Sequence, residues 1–199
     1  MRLFALASLS LSLVFPHSPA ANNVQKIVIL GDSIVVSIRD DIAQSIPNTV
    51  VNAMRSRTIA SPVLTDTGLA QLDILAPLKS KQWVIELGTN DAWSTSLSLK
   101  QIKVDTQRFI KRLLEVVPSK TCVTWILPSI SSPVAADIQK RAASVRELLK
   151  NARPARRCWA LINWDAEVRA NRALVEKDGV HLSPAGKKRF LALVKSVVK

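Results

Sequence analysis

Five short apolar runs recur along this chain, at residues 26–30, 49–53, 82–87, 122–127 and 158–163, and stretches of helical apolar spacing separate them. The run at 26–30 has no polar alternation and is too short for a helix, so it predicts a strand buried on both faces. Strands alternating with helices about five times predict an α/β fold, a parallel sheet covered on both faces with right-handed crossovers. Ligands of such folds bind at the carboxyl ends of the strands, near the point where strand order reverses. Strand exits are therefore where chemistry is expected.

The first run reads KIVILGDS and hands over at once to a helical pattern, Val35, Ile38, Ile42 and Ile46, which Pro47 stops. Ser33 is thereby placed at the carboxyl edge of the sheet, near the positive end of a helix dipole, a good seat for a nucleophile. The same Gly-Asp-Ser also fits an ordinary turn and helix cap. The third run repeats the design, ending in Gly88-Thr89-Asn90-Asp91. Further helices are expected from Asp66 or Thr67 to Pro77, over 99–117 and over 134–150. A last irregular stretch, EKDGVHLSPAG, leads into a final helix that Ser183 caps and Pro184 opens.

At 199 residues the chain predicts one domain, and its start needs separate treatment. Arg2, an apolar run over 3–15 and small residues up to Ala20 describe a secretory signal peptide, residues 1–20, ahead of a single domain over 21–199. A retained membrane anchor is the alternative, although the run is short for a bilayer span. Cleavage would remove His17 and leave His181 as the only imidazole. Export also gives meaning to Cys122 and Cys158, each at the start of an apolar run. If those strands are parallel neighbours, both thiols lie at one edge and a disulfide is expected; two buried free cysteines are the alternative.

The formal charge of +13 predicts a preference for anionic surroundings such as envelope polymers, or simply a well-solvated surface. The basic residues lie on helix faces and in a cluster at Arg153, Arg156 and Arg157, without interleaved aromatics. That pattern disfavours nucleic acid as a partner.

Three stretches together supply the parts of an acyl-transfer site. Ser33 is the candidate nucleophile and needs a base. His181 is the available ring, and Asp178, three residues earlier, is placed to hold its tautomer. Asn90 and the backbone N–H of Ser33 are candidate oxyanion donors. Trp93 is a candidate for lining the substrate pocket or for packing, and Arg55 and Arg57 for meeting an anionic substrate or solvent.

The stretches GDS at 31–33, GTND at 88–91 and DGVHLSPAG at 178–186 resemble blocks I, III and V of the SGNH, or GDSL-type, hydrolases. The resemblance implies a flavodoxin-like three-layer α/β/α sandwich with strand order 2-1-3-4-5, which would make the two cysteine strands neighbours. It also implies a serine esterase or O-acyltransferase needing no metal, with Ser33, Asp178 and His181 as triad and Asn90 in the oxyanion hole. The block II glycine is absent from VVNAMRSRTIA, where Ser56 is the expected occupant, and glycine adopts backbone angles that serine resists. This passage also has a faint similarity to peptidoglycan and polysaccharide O-acetyltransferase domains.

Three functional readings follow. The first is an exported hydrolase of small acyl esters on a sugar or lipid, without cofactor and with no membrane span after signal removal. The second is an O-acetyltransferase acting on an envelope glycan with the same triad. The third is a non-catalytic envelope-binding protein on a decayed hydrolase scaffold.

Overall fold

The computed structural model describes residues 27–61, 64–152, 154 and 158–198. The expected signal peptide and the cluster at Arg153, Arg156 and Arg157 lie outside the described residues. Five strands, β1 (Ile27–Gly31), β2 (Thr49–Ala53), β3 (Gln82–Glu86), β4 (Cys122–Leu127) and β5 (Trp159–Asn163), form one parallel sheet in the order β2-β1-β3-β4-β5. The expected order is therefore the observed one. From β1 the chain first builds outward to β2, then returns past β1 to β3, so strand order reverses at the carboxyl ends of β1 and β3. Every residue of these two strands is buried, as their continuous apolar runs require.

The flanking helices are α1 (Ser33–Val36), α2 (Arg39–Ser45), α3 (Gly68–Leu75), α4 (Thr89–Trp93), α5 (Leu99–Val116), α6 (Ala136–Asn151), α7 (Trp164–Ala170) and α8 (Pro184–Val197). The inward faces are the periodic ones: Ile102, Phe109 and Leu113 on α5, Ile138, Ala142, Val145 and Leu149 on α6, Phe190 and Val194 on α8. Edge-to-face pairs lock the layers, Phe109 on Trp125 at 5.2 Å and Trp164 on Phe190 at 5.1 Å. No helix among the described residues is long and apolar enough to cross a membrane.

Three local differences from expectation have physical causes. The helix expected over 35–46 is two, because Ile38 leaves the helical region (φ −127, ψ 13) and the Ser37 hydroxyl donates back to the Ile34 carbonyl at 2.7 Å. The Gly-Thr-Asn-Asp turn is the start of α4. α7 forms where the sequence reading placed no helix, since the Asn163 side chain accepts from the Ala166 N–H at 3.2 Å and caps it.

At the amino-terminal edge of the sheet Cys122 and Cys158 form a disulfide, their Cα atoms 4.7 Å apart. The bridge closes a loop that contains α6, tying β4 to the start of β5. On the chain-entropy model it stabilises the fold by about 3–4 kcal/mol. Replacing both cysteines by alanine is expected to lower the unfolding free energy in denaturant titrations by about that amount; an unchanged midpoint would show that the bridge constrains nothing the sheet does not already hold.

Candidate active site

The site grows from the exit of β1. A Cβ on Gly31 would collide with the Val35 side chain, so glycine is what lets α1 turn back this tightly over the strand end. Asp32 caps α1, its Oδ1 accepting the Ile34 N–H at 2.9 Å. Ser33 is the first helical residue, where a backbone N–H has no carbonyl of its own helix to bond.

Across the rim, the segment after α7 delivers the imidazole. His181 Nε2 lies 3.2 Å from Ser33 Oγ, and His181 Nδ1 lies 2.7 Å from Asp178 Oδ2. The carboxylate accepts, so Nδ1 carries the proton and Nε2 offers its lone pair to the Ser33 hydroxyl. Asp178 also accepts the Val180 and His181 N–H groups on Oδ1, at 2.9 and 3.0 Å. Burial works against its charge, but these bonds and the ring outweigh it and hold Asp178 below the usual carboxylate range.

The turn carrying both residues is pinned from below. Gly179 takes φ +75, and a Cβ there would strike the carbonyls of Ser131 and Ser132. Its own carbonyl accepts the Ser131 N–H at 3.0 Å and the Ser131 hydroxyl at 2.8 Å, so the loop after β4 seats the turn. Downstream, the Ser183 hydroxyl accepts the Gly186 N–H at 3.0 Å, capping α8 as expected, and donates to the Ala173 carbonyl at 2.5 Å.

Ser56 adopts φ +60, the left-handed conformation for which glycine would be the easy choice. Its N–H has no acceptor among the described residues. With Ser33, Asn90, Trp93 and His181 it lines a cavity of about 470 Å³ that Arg55 also borders. Trp93 is half exposed at the rim. Asn90, on α4, directs its amide nitrogen at Asp32 Oδ2 (2.9 Å) and at the Arg57 carbonyl (3.1 Å), so both hydrogens already face internal acceptors.

Arg57 corrects an expectation. It is only 3% exposed and does not line the cavity. Its guanidinium pairs with Asp66 (2.9 Å) and donates to the carbonyls of Asn52 (2.9 Å) and Gly31 (3.2 Å), stitching the ends of β1 and β2 to the Ser56 loop. A charge so committed is a brace for the loop rather than a hand for substrate.

Sequence reasoning missed the carboxyl groups beneath Ser33. Asp32 and Glu86 are both buried, at the ends of strands whose register sets Gly31 beside Glu86. Burial pushes Asp32 up to about 6, against hydrogen bonds from Glu86, Ile34 and Asn90. Burial, and then the Asp32 charge, raise Glu86 well above its usual value, so Glu86 is the partner that keeps the proton. Glu86 Oε2 has no hydrogen-bond partner among the described residues. The available signal was an acidic residue at each of two adjacent strand exits. Among the described residues no group of three or more His, Cys, Asp or Glu side chains is arranged to hold a metal ion.

No family model matches the chain. YrhL of Bacillus subtilis (strain 168), provisionally named a peptidoglycan O-acetyltransferase, is 24% identical over 184 residues, covering 90% of this chain and 24% of that protein. The chain spans about a quarter of the length of the curated relatives it matches. In fold it is similar to a lipase/acylhydrolase from Enterococcus faecalis, with a TM-score of 0.63 and 21% identity over 85% of this chain and 93% of that one. It is also similar to the C-terminal catalytic domain of the peptidoglycan O-acetyltransferase OatA of Streptococcus pneumoniae, solved with a methylsulfonyl adduct (TM-score 0.59, 17% identity, 87% and 92% covered). The chain therefore has the α/β fold of the SGNH hydrolases.

Ser56→Gly is expected to keep the loop and stabilise the protein by about 0.5–1 kcal/mol, the left-handed strain relieved less the entropy glycine adds; a loss of stability in denaturant titrations would show that the serine side chain is itself needed. A second expectation concerns pH. Burial raises Asp91 to about 7, against hydrogen bonds from Ile59, and Asp32 to about 6, so the folded state binds these protons more tightly than the unfolded chain. The stability this contributes is complete below the ordinary carboxyl range and is lost as pH rises through 6 to 7. Thermal midpoints should fall over that window in the parent protein and fall less in Asp91→Asn; identical profiles would contradict the shift.

Proposed function

We propose that this protein is an exported serine acyl-ester hydrolase in which Ser33 attacks, His181 takes and returns the proton, and Asp178 holds the ring. One observation carries the reading: the hydrogen-bonded chain from Asp178 through His181 to Ser33, joining residues 148 positions apart. A serine hydroxyl lacks the acidity to attack an ester unaided. As Ser33 Oγ bonds to the acyl carbon, its proton passes to His181 Nε2, and the Asp178 carboxylate stabilises the resulting imidazolium.

The negative charge gathers on the former carbonyl oxygen. In this reading the N–H groups of Ser33 and Ser56 receive it, and the Asn90 amide lends a shared hydrogen while staying fixed to Asp32. Removing one such donor typically costs about 3 kcal/mol of barrier. Collapse expels the alcohol with the proton from His181 and leaves an acyl group on Ser33. Water, deprotonated by the same ring, then releases the acid.

A second reading has a sugar hydroxyl replace that water, making the protein an O-acetyltransferase. Two observations favour it: the name of the Bacillus relative, and a half-exposed Trp93 at the cavity rim, an apolar platform for a sugar ring. The amino-terminal sequence pattern and the disulfide support export to an oxidising compartment at the cell envelope.

Hydrolysis of nitrophenyl acetate tests the chemistry. Ser33→Ala should lower kcat/KM by about 10⁴-fold or more with an unchanged circular dichroism spectrum, and full activity in that variant would end the proposal. Adding soluble glycan fragments to the same assay separates the two readings: free acetate marks hydrolysis, acetylated sugar marks transfer.

A further inference from the structure

A second concavity, of about 880 Å³, lies between α5, α6 and the start of α7 and shares no lining residue with the cavity over Ser33. Its charges divide into two sets. Arg146 and Arg169 both pair with Asp165, at 3.1 and 2.7 Å, and Lys150 pairs with Glu147 at 2.8 Å. Lys100, Lys103 and Lys140 line the same groove, exposed and without an ion-pair partner among the described residues. The acidic side chains are thus already spent, and three ammonium groups face solvent from two helices.

We propose that this groove binds a carboxylated polysaccharide. Lys100 and Lys103 stand one helical turn apart, about 5–6 Å between their Cβ atoms, comparable with the length of one hexose unit. A polymer with a carboxylate on successive sugars therefore meets successive ammonium groups. Between the charges the wall is aliphatic, Leu99 and Ala143, with the amides of Asn151 and Asn163, the mixture that suits the CH faces and hydroxyls of sugars. Among the described residues no aromatic side chain lines the groove, so the stacking platform of single-strand nucleic-acid binders is missing there.

The groove begins just after the segment that carries Trp93. Arg141, next to Lys140 on α6, donates to the carbonyls of Ala92, Ser94 and Leu97, at 2.9, 2.7 and 2.7 Å, and fastens that segment to the helix. The binding itself does not depend on what Ser33 does.

Calorimetric titration with polygalacturonate, neutral dextran, polyphosphate and polyglutamate tests the proposal, using two triple variants of equal charge. Lys100→Gln/Lys103→Gln/Lys140→Gln empties the groove of free charge, and Lys81→Gln/Lys120→Gln/Lys195→Gln removes the same charge elsewhere. The parent should bind polygalacturonate in a salt-sensitive way and not dextran. The groove variant should bind about tenfold more weakly, the loss expected of three exposed charge contacts, while the control variant keeps the parent affinity. Both variants should keep the parent's thermal midpoint, which excludes misfolding as the cause. Equal weakening in both variants, no binding of polygalacturonate by the parent, or tighter binding of polyphosphate or polyglutamate would each overturn it.

Discussion

The carboxyl of Asp32 holds the rim together. Wholly buried beside Ser33, it caps α1 through the Ile34 N–H and takes a hydrogen of Asn90 from α4. A lone carboxylate in that position would carry a heavy desolvation cost. Glu86 keeps its own proton, so the pair carries at most one charge, and the hydrogen bonds from Ile34 and Asn90 offset part of that cost. The turn that aims Ser33 and the amide beside it are therefore set by one group.

Around that lock, the parallel sheet does the long-range work. Because the strands run the same way, every strand exit opens onto one edge, and segments far apart in sequence meet there without any dedicated connection. Smaller braces then fix the loops on that edge. Arg57 ties the Ser56 loop to β1 and β2, and the Gly179 carbonyl rests on Ser131. These contacts are backbone carbonyls met by buried or half-buried donors, a kind of bond whose loss leaves an unsatisfied group and is costly.

Much of this was legible in the amino-acid sequence, for a physical reason. Strands buried on both faces need unbroken apolar runs, and helices that cover them need one apolar stripe, so both signals stand out in KIVIL and along α5. Asp178 and His181 were legible as partners because they stand three positions apart, close enough for a turn to join them. What stayed hidden was decided by tertiary contact. The apolar spacing of Val35, Ile38, Ile42 and Ile46 runs straight through the break between α1 and α2, so periodicity cannot see it. Arg57 looked like a surface cation because arginines are seldom buried, and only the convergence of three chain segments makes it a brace. Asp32 and Glu86 became a pair only once strand register put Gly31 beside Glu86.

In the proposed function, three separated stretches assemble a serine activated for attack on a carbonyl-like centre. Labelling with a fluorophosphonate, followed by peptide mass spectrometry, measures that activation without requiring the substrate. A single phosphonyl adduct is expected on the peptide carrying Ser33, formed far more slowly when His181 is replaced by alanine. An unlabelled protein, or an adduct at another serine that persists without His181, would contradict it.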